Sequence, residues 1–121
     1  MKGSVLLVED DSECAAGFVA VLEHEGYQVQ TAREGATALM LLRAGFCPDV
    51  ILLDLMLPGM DGLAFRREQI ADPLLRDIPV IAVSGVDRLL DRIRTDDVAA
   101  IFRKPVVFLR LLRALEAQIA R

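Results

Sequence analysis

The stretch Val50-Ile51-Leu52-Leu53-Asp54-Leu55-Met56-Leu57-Pro58-Gly59-Met60-Asp61-Gly62 changes character at one residue. Four apolar side chains in a row suit a strand covered on both faces. Asp54 ends the run, and the proline and two glycines that follow mark a loop. The pattern recurs elsewhere. Val5-Leu6-Leu7-Val8 stops at Glu9-Asp10-Asp11-Ser12, and Val80-Ile81-Ala82-Val83, opened by Pro79, stops at Ser84-Gly85. Two weaker runs complete the set. One spans 27–31 around Val29, and the other is Ala99-Ala100-Ile101-Phe102, ended by Arg103-Lys104-Pro105.

Between these runs the apolar spacing is helical. After an N-cap at Asp11 or Ser12, Ala15, Phe18, Val19 and Leu22 fall on one face, and Gly26 is placed to stop the helix. Residues 34–43 turn Ala38, Leu39 and Leu42 inward, with Gly45 as the stop. The helix at 63–70 has a poor apolar stripe, because Arg66, Arg67, Glu68 and Gln69 stand in a row. A charged helix is expected at 86–94, with Leu89, Leu90 and Ile93 inward. The last helix has Phe108, Leu109, Leu112, Leu115 and Ile119 on one face. Strand and helix thus alternate five times. That order predicts an α/β fold, a parallel sheet with helices on both faces, because each parallel pair needs a crossover.

Length and charge bound the rest. The 121 residues suit one domain, 1–121, and 54% hydrophobic residues suffice for a real core. A formal net charge of −4 argues against direct binding of nucleic acid by this chain alone. No apolar run approaches the roughly 20 residues that cross a bilayer, and the start lacks the apolar stretch of a signal peptide. The expected location is cytoplasmic, with no membrane partner. Cys14 and Cys47 are read as reduced thiols packed as small apolar groups, since neither lies in a CxxC and the lone His24 cannot complete a zinc site.

In doubly wound sheets, functional groups gather beyond the carboxyl ends of the strands. Glu9, Asp10, Asp54, Ser84 and Lys104 all occupy such ends. Taken singly, Asp10 reads as a helix cap, Asp54 as an Asx-turn residue and Lys104 as a solvated charge. Their joint placement at successive strand ends is what those separate roles do not predict. Three carboxylates at one edge repel one another, and a divalent cation relieves this. Glu9, Asp10 and Asp54 with the backbone carbonyl of Met56 offer the hard oxygen donors that Mg²⁺ or Mn²⁺ takes. A carboxylate beside such an ion can attack phosphorus, with Lys104 and the Ser84 hydroxyl reading the added charge.

On these segments the chain resembles the response-regulator receiver domains of two-component signalling. Val8-Glu9-Asp10-Asp11, Asp54 to Gly62, Ser84-Gly85 and Lys104-Pro105 carry the resemblance, in order and across essentially the whole chain. It implies the flavodoxin-like sheet with strand order 2-1-3-4-5. It implies that Asp54 is the phosphoacceptor, charged by a histidine kinase or a histidine phosphotransfer protein. Glu9, Asp10, Asp54 and the Met56 carbonyl would hold the metal, and Ser84 and Lys104 would read the phosphoryl group. It also implies a cis peptide between Lys104 and Pro105. Phosphorylation would switch a face of helix 4, strand 5 and helix 5 toward a downstream protein target or output domain; a homodimer through that face is a further use of it. No enzyme activity is expected beyond self-catalysed loading of Asp54 and its slow reversal.

The chain departs from the family pattern in three places. An aromatic usually stands three residues before the lysine, and here it is Ile101. Gly85 replaces the usual alanine. Met56 and Val86, two residues after Asp54 and Ser84, are apolar and cannot orient a hydrolytic water. Two alternatives remain: a degenerate receiver that acts as an interaction module without phosphorylation, and a small Mg²⁺-dependent phosphohydrolase. The second wants another acid two residues after Asp54, where Met56 stands.

Overall fold

The computed structural model describes residues 2–93 and 97–119. Its elements run β1 (Gly3–Val8), α1 (Ser12–His24), β2 (Tyr27–Ala32), α2 (Gly35–Arg43), β3 (Val50–Asp54), α3 (Gly62–Ala71), β4 (Val80–Ser84), α4 (Asp87–Arg92), β5 (Ala100–Arg103) and α5 (Phe108–Ile119). All strand pairs are parallel, and the order is β2-β1-β3-β4-β5. This is the expected flavodoxin-like order. The apolar runs explain it: every residue of β3 and β4 is buried, as are Val5 to Val8 of β1. Strands of that kind belong at the centre of a sheet covered on both sides.

Alternation along each strand divides the core in two. Leu6, Val8, Ile51, Leu53, Val80 and Ala82 face α2, α3 and α4. Val5, Leu7, Val50, Leu52, Ile81 and Val83 face α1 and α5, where the Phe18 and Phe108 rings meet edge to face at 5.5 Å. Asp11 caps α1 by accepting from the N–H groups of Glu13 (2.9 Å) and Cys14 (3.0 Å), and Asp61 caps α3 through the Ala64 N–H (2.8 Å). Gly26 and Gly45, at φ 95° and 111°, terminate α1 and α2 in the left-handed conformation that glycine tolerates.

Three expectations need correction. The helix expected at 86–94 is six residues long; Ile93 is already extended, so its side chain packs inward from a non-helical backbone, and Arg94 lies outside the described residues. Asp87 pairs with Arg103 across to β5 at 2.8 Å. In α5 the buried residues are Leu111 and Leu115, while Leu109 is 60% exposed. Leu109 stands two residues, or about 200° of helix turn, from Leu111 and so faces away from the sheet. Cys47 is an exposed free thiol, because the loop before β3 carries it outside the packed layers.

Candidate functional site

Register brings the polar residues together. Val8 lies opposite Leu53, so Glu9 and Asp54 occupy the next rung between β1 and β3. Ser84 lies opposite Arg103, and the Lys104 N–H donates to the Ser84 carbonyl at 3.0 Å. Glu9, Asp54 and Ser84 are 3%, 6% and 0% exposed, and Asp10 is half-buried. One carboxylate oxygen from each of Glu9, Asp10 and Asp54 lies within 4.8 Å of the others. Lys104 Nζ donates to Glu9 Oε1 at 2.6 Å and to Asp54 Oδ2 at 3.0 Å. Asp54 Oδ1 accepts from the Met56 N–H at 2.9 Å, and Glu9 Oε2 accepts from the Asp11 N–H at 3.2 Å. Ser84 Oγ accepts from the Val86 N–H at 3.0 Å. The Lys104–Pro105 peptide is cis.

The loop after β3 folds back tightly onto this edge. The Gly62 N–H donates to the Leu55 carbonyl at 2.9 Å, and a Cβ at position 62 would stand 2.5 Å from Leu55 Cα and 2.8 Å from the Asp54 carbonyl oxygen. Only glycine permits that approach.

One ammonium, bonded to Glu9 and Asp54, stands against three carboxylates. Burial, followed by the neighbouring Glu9 carboxyl, pushes Asp54 up to about 6, against the downward pull of the Met56 N–H and Lys104. Burial alone would lower Lys104, but its hydrogen bonds to Glu9 and Asp54 outweigh that and hold it above the ordinary lysine range. The edge opens into a cleft of about 520 Å³ that Asp10, Met56, Val86 and Lys104 also line. Hard oxygens, incomplete neutralisation and an open mouth suit an oxygen-seeking divalent cation and an anionic reactant.

Glu9, Asp10, Asp54, Met56 and Lys104 line this cleft, with the Met56 N–H bonded to Asp54 and its side chain 54% exposed; Ser84 is fully buried at the end of β4, and Gly85 and Val86 after it reach the cleft wall. Two neighbours had no signal in the sequence. Arg33 follows β2, and its Nη2 donates to the Asp10 carbonyl at 3.3 Å because β2 runs alongside β1. Cys14 stands on the first turn of α1, and burial, then the Glu9 carboxylate, push its thiol above the usual range.

A sequence model of the family described as "Response regulator receiver domain" matches residues 5–116. The chain belongs to this family. Among curated relatives, the receiver is 35% identical over 119 residues to the polar-differentiation response regulator DivK of Brucella ovis, covering 97% of this chain and 96% of DivK. It is 42% identical over 94 residues to the response regulator PleD of Caulobacter vibrioides, covering 78% of this chain but only 20% of PleD's length. Among solved structures, the receiver domain of sensor histidine kinase PA1611 from Pseudomonas aeruginosa superimposes with a TM-score of 0.85 at 29% identity, over 98% of both chains; it is described with a magnesium ion coordinated in its active-site cleft. This receiver carries an acidic edge, while half-buried Ile101 packs against the core on the α2, α3 and α4 side and Phe102 packs on the α1 and α5 side. Among the described residues no helix is long and apolar enough to cross a membrane.

Proposed function

We propose that the 121 residues act as one phosphoacceptor unit in a two-component phosphorelay, with Asp54 as the acceptor. The observation that carries this reading is the position of Asp54: buried, raised to about 6, and between Lys104 and two further carboxylates in an open cleft. The donor set fits Mg²⁺ or Mn²⁺, since Glu9, Asp10 and Asp54 supply hard oxygens and no histidine or cysteine ligand is among the three. The Met56 carbonyl would complete the protein's share. When bound, such an ion supplies charge to offset the carboxylates and a place for a phosphoryl oxygen.

The chain's own residues do the rest. An Asp54 oxygen attacks phosphorus, and the bond from phosphorus to the imidazole nitrogen of a partner histidine breaks, the nitrogen leaving with the electron pair. Lys104 balances the charge that arrives, and the Ser84 hydroxyl donates to a phosphoryl oxygen. The partners are a histidine kinase or histidine phosphotransfer protein upstream and a downstream target or output domain, met in the cytoplasm. The face of α4, β5 and α5, with Val107 exposed beside Ile101 and Arg103, is the surface that changes and is also the candidate homodimer surface. The protein turns over no external substrate beyond its own loading and slow unloading.

Acetyl phosphate with Mg²⁺ tests this reading. Intact-mass measurement should show one added phosphate, lost in Asp54→Ala and lost when the metal is chelated. Absence of the shift in wild type selects the interaction module without phosphorylation, which the isoleucine at position 101, half-buried against the core, favours. Rapid turnover of many phosphomonoesters selects the hydrolase. Because Met56 and Val86 offer no group to orient water, the loaded form should persist for many minutes; decay within seconds overturns that expectation.

A further inference from the structure

The face that α3 turns toward its neighbours is partly polar. Gln69 is completely buried, and a buried amide is costly unless its groups are bonded. Its Nε2 donates to the carbonyls of Leu75 (2.8 Å) and Ile78 (3.0 Å), and its Oε1 accepts from Arg66 Nη1 at 2.8 Å. The rest of the Arg66 guanidinium points the other way, with Nε and Nη2 both donating to the Asp97 carbonyl. One chain of hydrogen bonds therefore joins the segment before β4, the body of α3 and the segment before β5. It lies at the amino-terminal edge of the sheet, opposite Asp54.

The other end of α4 is held differently. α4 has six residues and no side-chain cap. The backbone just ahead of it is held by Ser84 Oγ, which accepts from the Val86 N–H at 3.0 Å. That hydroxyl is the group assigned above to the phosphoryl oxygen. The same hydroxyl donates to the Val86 carbonyl at 3.4 Å, so turning it to the phosphoryl group takes that donor away and draws Oγ off the Val86 N–H, while the Asp97 carbonyl keeps its two bonds from Arg66. The Asp87–Arg103 ion pair is about two-thirds exposed and holds little in water.

We propose that Arg66, braced by Gln69, is the pivot of the α4–β5 unit: phosphorylation frees the end at Val86, and the end at Asp97 stays pinned. This rests on the phosphoacceptor reading. It assigns to Arg66 the restraint that confines the change to one end of α4, in a chain whose position 101 carries isoleucine. Arg66 is a positioning residue, remote from the reacting atoms.

Hydrogen exchange read by mass spectrometry tests it on wild type, Arg66→Ala and Arg66→Lys, each with and without acetyl phosphate and Mg²⁺. In unloaded protein, Arg66→Ala should speed exchange at 97–103 by about tenfold and leave 85–92 unchanged; Arg66→Lys, which keeps the charge but not the paired donors, should fall between. In loaded wild type, exchange should rise at 85–92 and not at 97–103, and in loaded Arg66→Ala the rise should spread to 97–103. Unchanged exchange at 97–103 in unloaded Arg66→Ala overturns the pivot, as does a rise there in loaded wild type. Should Arg66→Ala fail to fold, Arg66→Lys carries both comparisons. Failure of wild type to gain phosphate overturns the phosphoacceptor reading and the trigger with it, while the unloaded comparison judges the Arg66 restraint separately.

Discussion

Strands β3 and β5 end in residues of the same site, yet they are built unlike each other. All five residues of β3 are buried, and its neighbour β1 is followed by an α1 that Asp11 caps with two hydrogen bonds. None of the four residues of β5 is buried, and the α4 that precedes it is short and uncapped by any side chain. The carboxylates therefore stand on a platform that packing holds still. Lys104 stands on an edge, and its ammonium is placed by the two carboxylates it bonds. A site divided in this way keeps its carboxylate half fixed while its lysine half is held more loosely.

Core truncation is the most direct way to break the comparison. Leu53→Ala in β3 should cost about 3–5 kcal/mol, and Ile101→Ala in β5 at most about half as much, because a half-buried site leaves less cavity. Equal shifts in urea unfolding midpoints would mean that β5 is as much a part of the platform as β3.

Titration sharpens the contrast at the next scale. Asp54 sits at about 6 in the folded protein against 3.8 as its ordinary value. A carboxyl raised on folding contributes stability that is complete below its unfolded value and is lost as pH climbs through the folded one. Wild type should therefore lose about 2 kcal/mol between pH 4 and pH 6.5, and Asp54→Asn should lose much less over that range. Thermal unfolding across pH measures both, and added Mg²⁺ should return the lost stability to wild type alone. Parallel curves for the two proteins would show that Asp54 carries no such burden.

The smallest effects compare helix ends. Asp11→Ala removes both cap bonds of α1 and should cost about 1 kcal/mol. Asp87→Ala removes only the exposed pair with Arg103 and should stay within about 0.5 kcal/mol by the same denaturation measurement. A larger loss at Asp87 would mean that α4 is held at its outer end after all.

Much of this architecture could be read along the chain. Continuous apolar runs bounded by Pro, Gly or acid give strands covered on both sides, and helical spacing between them requires parallel order. The site was legible for the same reason, since strand ends are local events and Glu9, Asp54, Ser84 and Lys104 each stand at one. The length of α4 was not legible: Leu89, Leu90 and Ile93 keep a helical spacing that Ile93 satisfies from extended backbone. Leu109 and Leu111 are equally apolar, and only the docking angle of α5 on the sheet separates core from surface.

The residues by themselves determined which segments are strands, that the sheet is parallel, and which side chains reach its carboxyl edge, because short-range patterns of burial and turn chemistry dictate those. Tertiary structure alone decided that one ammonium bridges Glu9 and Asp54, that Arg33 holds the Asp10 carbonyl, and that Gln69 is buried and bonded to Arg66 while Arg67 and Glu68 between them stay exposed. Each of those depends on groups from distant segments meeting within hydrogen-bond distance, and spacing along the chain carries no measure of that distance.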